Sequence, residues 1–132
     1  MRFSRASLYA LHALAFMARQ KVNDPVASHL IAQAEGIPER FLLKVLKPLV
    51  SAGVLQSIKG PNGGYRLARA PRTISLLEVV EAVDGSIRGQ VSFEGKNSGG
   101  LEKRLESIFE QAADQVRRQY QRVRVSDLIG KA

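Results

Sequence analysis

The 132-residue sequence contains no cysteine and no tryptophan, and it has only two histidines, His12 and His29. The missing cysteines exclude disulfides, thiol catalysis, thiolate zinc sites and all-cysteine iron–sulfur clusters. Two separated histidines without clustered carboxylates give little support to an enzymatic function. No stretch approaches the roughly 18 apolar residues of a membrane span, so no membrane partner is expected and a cytoplasmic location is predicted.

Basic residues are in excess, and most of the excess lies in one segment. The chain has 20 Lys and Arg against 12 Asp and Glu, a formal net charge of +8. The basic residues between positions 36 and 73 are Arg40, Lys44, Lys47, Lys59, Arg66, Arg69 and Arg72, and the acidic residue there is Glu39. Such a segment favours an anionic partner, although a solvated basic face has the same composition.

Regularly spaced apolar residues predict three helices in the first part of the chain. The first is expected over positions 4–20, with an apolar side made of Leu8, Leu11, Leu14, Ala15 and Ala18. A short second helix over 27–35 ends before Gly36, which fits the position just past a helix end. The third runs from Pro38 to about position 52, with an apolar side made of Phe41, Leu42, Val45, Leu46 and Leu49.

Two strands and two further helices are predicted beyond Gly53. Alternating residues at 54–58 and 65–68 indicate a hairpin, and Ser75 with Glu78 forms the capping-box pattern of a fourth helix that ends at Asp84. Positions 86–100 have the Gly- and Asn-rich composition of a linker. A long helix over 101 to about 123 is predicted from one apolar stripe, which we expect to pack partly on its own domain near its start: Leu101, Leu105, Ile108, Ala112, Val116, Tyr120 and Val123.

Three helices followed by strand, loop and strand is the order of a winged helix-turn-helix. The predicted fold class is therefore mainly α with a small β-hairpin wing, plus the long helix. Arg40 and Lys44 are four residues apart, so they share one face of the third helix. Such a helix fits a DNA major groove, where Arg can read guanine and Lys can contact bases or phosphates.

The loop from Gly60 to Gly64 is the candidate wing tip. A wing that lies against a phosphate backbone or enters a minor groove must be thin, and glycine has no side chain to collide. Successive glycine amides can donate to phosphate, and Lys59 and Arg66 add charge beside them. The alternative is a wide turn that contacts nothing. A P-loop is excluded because Tyr65 follows Gly64 where that motif requires Lys.

Several consecutive motifs resemble the Rrf-type family of bacterial transcription regulators. They are Gly36-Ile37, Phe41-Leu42, Pro48-Leu-Val-Ser-Ala-Gly53-Val-Leu55, Ser57-Ile-Lys-Gly60-Pro-Asn-Gly-Gly64-Tyr-Arg-Leu67, Ile74 to Gly85, and the opening Met-Arg-Phe-Ser-Arg. The match covers positions 1–85 closely and the long helix by architecture, and the Gly-Pro-x-Gly-Gly-Tyr wing is its most specific part. The resemblance divides the chain into a DNA-binding domain at 1–85, a linker or effector region at 86–100 and a dimerisation region at 101–132.

The resemblance implies a homodimer on palindromic double-stranded DNA, joined through the apolar stripe of the long helix. The third helix would occupy the major groove and the wing the minor groove. The DNA-binding positions carried over are Arg40, Phe41, Lys44, Lys59, Gly60, Pro61, Asn62, Gly63, Gly64 and Tyr65, with Arg66 beside them and Ser4 and Ser28 as weaker phosphate candidates.

Three departures from the family limit what can be carried over. Lys59 stands where many members have Arg, and Leu43 stands where many have Glu, so the sequence preference of relatives cannot be copied. The sensing members hold three cysteines in the region that corresponds to 89–100, and this chain has none. We therefore expect no iron–sulfur cluster and no other cofactor or metal. An unidentified effector or partner protein stays open, and His12 is expected to be a packed core residue.

The main alternative is an architectural nucleic-acid-binding protein without sequence preference. Its attraction to DNA would be mostly electrostatic, so its affinity would fall steeply with salt and differ little between sequences. A protein scaffold is a further alternative, in which the long helix binds a foreign helix and the chain is a monomer.

Overall fold

The computed structural model describes residues 2–88 and 100–130, so most of the predicted linker lies outside the described residues. The helices are α1 (Arg5–Ala18), α2 (Ser28–Glu35), α3 (Glu39–Ser51), α4 (Leu76–Asp84), α5 (Leu101–Arg122) and α6 (Val125–Ile129). The strands are β1 (Leu55–Ile58) and β2 (Gly64–Leu67), and a 3₁₀ turn spans Pro71–Thr73. The predicted fold class, mainly α with one antiparallel hairpin, is confirmed.

The core lies between α1, α2, α3 and α4, with β1 and β2 closing one side. Four of the five residues predicted on the apolar side of α3 are buried, with Leu42, Leu46 and Leu49 fully so, whereas the prediction was wrong for Phe41, which is exposed. The buried leucines meet Leu14 of α1 and Ile31 of α2 in the same cluster. Because α3 uses this face for the core, its opposite face is free to carry charge. No helix in the described ranges is long and apolar enough to cross a bilayer.

The face of α1 that packs inward differs from the predicted one. Its buried residues are Ser7, Ala10, Ala13, Leu14 and Met17, whereas Leu8 is exposed. Small residues on this face let α1 approach its neighbours closely, and the larger leucines are partly left outside. The prediction of Leu8 on the inward face was therefore wrong. It followed the spacing of the leucines, whereas the buried face follows Ala10 and Ala13.

The turn between α2 and α3 is fixed by a glycine. Gly36 adopts a left-handed conformation with φ 67°, and its N–H donates to the Ala32 carbonyl. The next residue, Ile37, also donates to the Ala32 carbonyl at 3.0 Å and buries its side chain. This is the hydrogen-bonding arrangement that ends many helices, and it commonly uses glycine because no Cβ opposes the positive φ.

The hairpin is joined to α2 by a third extended segment. β1 and β2 pair antiparallel, with Leu55 opposite Leu67 and Ile58 opposite Gly64. Val26, just before α2, exchanges two backbone hydrogen bonds with Tyr65: Tyr65 N–H donates to Val26 O at 2.8 Å and Val26 N–H donates to Tyr65 O at 2.9 Å. The wing is therefore tied to the helix-turn-helix through its backbone.

The start of α4 carries the predicted capping box. Ser75 Oγ accepts the Glu78 N–H at 3.1 Å, and Glu78 Oε2 accepts the Ser75 N–H at 2.9 Å. Arg69 also pairs with the Glu78 carboxylate. Burial raises the pKa of Glu78, but the hydrogen bonds from Ser75 and the charge of Arg69 outweigh it, so the pKa lies below its usual value.

The chain after α5 returns to the domain formed by α1 to α4 and the hairpin. Leu76 N–H donates to Val123 O at 2.8 Å and Val125 N–H donates to Ile74 O at 2.9 Å. Val125 is buried in the core cluster, and α6 packs on α1. The C-terminal turn is therefore part of the packed unit and not an appendage.

Candidate nucleic-acid interface

The exposed face of α3 brings two predicted cations onto one aromatic ring. The guanidinium carbon of Arg40 lies 4.7 Å from the centre of the Phe41 ring, and Lys44 Nζ lies 5.6 Å from it. Phe41 is itself partly exposed. A ring in contact with both cations limits their rotamer freedom. The three residues predicted on α3 thus form one surface cluster.

Ser28 and Glu39 join the beginnings of α2 and α3. Ser28 Oγ donates to Glu39 Oε2 at 2.7 Å. The hydroxyl predicted to contact phosphate is therefore already hydrogen-bonded within the protein. Glu39 was noted in the sequence as the one acidic residue of the basic segment but was not assigned a role. Its position at the first residue of α3 was the available signal, because the N-terminal residues of the second helix of a helix-turn-helix are the ones placed for base contacts in known complexes.

Ser4 has a structural role that the sequence did not indicate. Its Oγ accepts the Ser7 N–H at 2.9 Å as the N-cap of α1 and donates to Asp84 Oδ2 at 2.6 Å. The buried Ser7 hydroxyl donates to the same carboxylate oxygen at 2.7 Å. Both hydrogen-bonding directions of the Ser4 hydroxyl are thus used between α1 and the end of α4, which weakens it as a phosphate ligand.

The tip of the wing is a tight turn with an exposed, cationic outer side. Gly63 N–H donates to Gly60 O at 3.0 Å, which closes a four-residue turn with Pro61 in the first central position. Proline suits this position because its φ is already fixed near the required value. Lys59, Gly60, Pro61 and Asn62 are all exposed. These four are the predicted wing residues that the structure leaves accessible.

The next residues of the predicted wing site serve the packing of the wing. A Cβ added to Gly63 would lie 2.1 Å from Ile58 O, and one added to Gly64 would lie 2.3 Å from Val26 O. Tyr65 is partly buried and packs against the core. The sequence argument that both glycines are required for close approach to DNA is therefore incomplete, since the hairpin itself requires them.

Arg66 lies on the face of the hairpin next to Gln56. The two residues are opposite each other in the strand register, and Arg66 Nε donates to Gln56 Oε1 at 2.9 Å. This hydrogen bond orients the guanidinium along the hairpin. Arg66 is thus held on the wing close to the exposed tip.

The N-terminal half of α5 presents exposed apolar residues. Leu101 is 48% exposed and Ile108 is 57% exposed. Phe109, which the sequence stripe did not include, is also exposed. Its signal in the sequence was an aromatic residue next to Ile108 on a helix whose other faces are charged. Leu105 is partly buried and Ala112 is exposed, so this half offers a continuous apolar strip.

The C-terminal half of α5 packs on its own domain. Ala113 is buried, and the ring of Tyr120 stacks on Phe3 with 5.5 Å between centroids and 22° between planes. Val116 lines the same junction with α4, and Val123 hydrogen-bonds Leu76 through its backbone. The expectation that the stripe packs on its own domain near its start was wrong, because the contact lies at the other end.

The described residues do not group the ligands that an iron–sulfur cluster or another metal centre needs. The whole sequence lacks cysteine, and within 2–88 and 100–130 no three His, Asp or Glu side chains are grouped to hold an ion. His12 is mostly exposed, with Nδ1 3.2 Å from Glu35 Oε1. The prediction of His12 as a packed core residue was wrong, since it lies on the outer side of α1.

Residues 3–131 match the family model Rrf2, described as an iron-dependent transcriptional regulator. An rrf2-like protein of Rhodobacter capsulatus is 43% identical over 81 residues, which are 61% of this chain and 54% of that relative. The HTH-type transcriptional regulator NsrR of Bacillus licheniformis is 31% identical over 98 residues, 74% of this chain and 68% of NsrR. The chain thus spans little more than half of some relatives that it matches.

Solved structures show the same fold over nearly the whole chain. The structure of CymR, the global cysteine regulator of B. subtilis, superimposes with a TM-score of 0.77 and 25% identity, covering 98% of this chain and 96% of CymR. The resemblance read from the wing and helix motifs is thereby confirmed. The named relatives are transcriptional regulators and not enzymes.

Proposed function

The chain belongs to the Rrf2 family of transcriptional regulators, and from that membership we propose that it is a homodimeric repressor that binds a palindromic operator in the bacterial cytoplasm. In each half-site α3 lies in the major groove and the wing reaches the adjacent minor groove. The observation that carries this proposal is the exposed cationic cluster of Arg40, Phe41 and Lys44 on α3. The exposed wing tip carries a charge of the same sign, on Lys59.

The residue types of the α3 cluster suit the reading of DNA. A guanidinium can donate two parallel hydrogen bonds to the O6 and N7 atoms of guanine, and an ammonium can contact a base or a phosphate. Phe41 limits the motion of both cations, so less conformational entropy is lost when they bind. We assign base reading to Arg40 and either base or phosphate contact to Lys44.

The wing supplies a second contact through its exposed tip. Lys59 stands at the end of β1, and the turn over Gly60, Pro61 and Asn62 projects no large side chain. A narrow minor groove attracts cations and admits a thin loop. We therefore assign the wing tip to the minor groove, with Lys59 and Arg66 as its cations.

The dimer proposal is supported by the exposed apolar strip on the N-terminal half of α5. Leu101, Ile108 and Phe109 lie on a helix of 22 residues. Contiguous apolar side chains of this kind mark an interface when they are exposed on a soluble domain. Two copies of α5 that cross at this strip would bury it and place two α3 helices on one palindrome, as symmetric dimers do.

We propose that the protein binds DNA without an iron–sulfur cluster, because its sequence contains no cysteine to ligate one. The test is the iron content of the purified protein by mass spectrometry, with its absorption spectrum, before and after anaerobic incubation with iron and sulfide. Iron well below one atom per protomer and unchanged DNA affinity are expected. Stoichiometric iron accompanied by a visible absorption band would contradict this proposal.

Selection of duplexes from a random library, followed by fluorescence anisotropy at near-physiological salt, tests the main proposal. The protein should enrich a palindrome and bind it at two protomers per site, far more tightly than a shuffled duplex. The Arg40→Ala/Lys44→Ala double variant should lose this preference while its circular dichroism spectrum stays unchanged. Equal binding to enriched and shuffled duplexes, with a steep salt dependence, would instead support the architectural protein.

Repression is tested separately by transcription in vitro from a promoter that contains the enriched site. Occupancy of a promoter is sufficient to block polymerase, so repression requires no further surface on this small protein. Transcript levels should fall as the protein is added and recover with the Arg40→Ala/Lys44→Ala variant. A rise in transcript would assign activation instead.

A further inference from the structure

One large apolar side chain on α3 has no role in the core. Leu43 is 42% exposed, whereas its neighbour Leu42 is fully buried. The residues that α3 buries are Leu42, Val45, Leu46 and Leu49, and Leu43 lies beside this buried stripe without being part of it. Exposed leucines occur singly on many proteins, so its surroundings decide whether it has a role.

Leu43 lies within the charged outer face of α3. Glu39 precedes it by one turn, Arg40 is three residues before it and Lys47 is one turn after it, and all three are exposed. Residues at these spacings are neighbours on a helix surface. This inference rests on the proposed function, in which this face of α3 approaches the major groove.

The strip formed by Glu39 and Leu43 is unsuited to the DNA backbone. A carboxylate repels phosphate, and a leucine side chain offers no hydrogen bond to it. The Glu39 carboxylate is also held in place by Ser28 Oγ at 2.7 Å. Since the exposed Lys47, one turn after Leu43, can contact phosphate, the Glu39–Leu43 strip is left to face the edges of bases.

Only one base offers an apolar group in the major groove. Thymine carries a C5-methyl group there, and apolar side chains contact it, while the other bases present hydrogen-bond donors and acceptors. We propose that Leu43 recognises the C5-methyl group of a thymine in each half-site of the operator. It is thus a specificity-determining residue in addition to Arg40 and Lys44.

The first experiment compares duplex selection by the unaltered protein, Leu43→Ala and Leu30→Ala. Leu30 on α2 is a matched control because it is an exposed leucine of similar accessibility, 48%. We expect one thymine position per half-site to lose its preference in Leu43→Ala alone, with the other positions retained. Identical preferences in all three proteins would overturn the assignment of Leu43. Failure of the unaltered protein to enrich any sequence would overturn the proposed function as well.

The second experiment removes only the methyl group, by replacing that thymine with deoxyuridine in the enriched duplex. Loss of one buried methyl group should weaken binding by about fourfold per half-site for the unaltered protein and for Leu30→Ala. Leu43→Ala should bind both duplexes equally. If Leu43→Ala keeps the full sensitivity to deoxyuridine, or the unaltered protein has none at any thymine, the methyl group is not what Leu43 recognises.

Discussion

Replacing Gly64 by alanine should release the wing from the helix-turn-helix. Gly64 is the first residue of β2, and its φ of 148° is in the region that L side chains rarely adopt. An added Cβ would lie 2.3 Å from Val26 O and 2.7 Å from Ala27 N, both of them backbone atoms. These atoms belong to the segment that bonds to Tyr65, so relief of the clash requires the Val26–Tyr65 bridge to open.

The cost can be worked out from two contributions. A non-glycine residue held in this backbone region costs about 1–3 kcal/mol. Loss of the two hydrogen bonds between Val26 and Tyr65 costs about 1 kcal/mol each. We therefore expect Gly64→Ala to lower the free energy of unfolding by about 3–5 kcal/mol.

Gly36→Ala is the matched control because it has a positive φ without a clash. Gly36 has φ 67°, and a Cβ there meets nothing within 4 Å. Only the left-handed strain remains, about 1–2 kcal/mol. Urea unfolding of both variants at one protein concentration gives the comparison, provided that the slope with urea is unchanged. Equal losses for the two variants would refute the claim that steric contact with Val26 fixes the wing.

The remaining predictions concern the dimer, the acid stability and one buried hydroxyl. Ile108→Asp should convert a dimer into a folded monomer, as measured by analytical ultracentrifugation, because its side chain is 57% exposed and not needed by the core. Because the pKa of Glu78 is lowered, its pairing with Arg69 stabilises the fold at neutral pH, and this stabilisation is lost as the pH falls through that pKa. In Glu78→Gln the urea midpoint should therefore fall less between about pH 6 and about pH 3 than it does in the unaltered protein. Asp84→Ala should cost about 1–3 kcal/mol in urea unfolding, since it leaves the buried Ser7 hydroxyl without its acceptor, and adding Ser7→Ala to it should cost little more.

Local signals in the sequence were sufficient for the five longer helices, the hairpin and the shared face of Arg40 and Lys44. The box of Ser75 and Glu78 predicted the start of α4 because both partners lie within one turn. The spacing of Arg40 and Lys44 predicted a shared face because helix geometry alone fixes it. These features depend on residues close together in the chain, which is why the pattern revealed them.

Features that depend on distant residues could not be read in this way. The contact of Gly64 with Val26 joins two segments that no local pattern relates. The hydrogen bond of Ser4 to Asp84 joins α1 to α4. His12 looked like a core residue because its neighbours are apolar, yet the small alanines of α1 turned the inward face away from it.

The backbone bridge between Val26 and Tyr65 also bears on how an operator is chosen. Because the bridge joins the wing to α2, the wing, which is assigned to the minor groove, cannot shift relative to the helix-turn-helix, whose α3 is assigned to the major groove. A half-site of unsuitable groove spacing must then be deformed to fit, and the energy of that deformation depends on its base steps. Steps that bend easily would be selected at positions that no side chain contacts, so that part of the specificity would lie in the stiffness of the DNA.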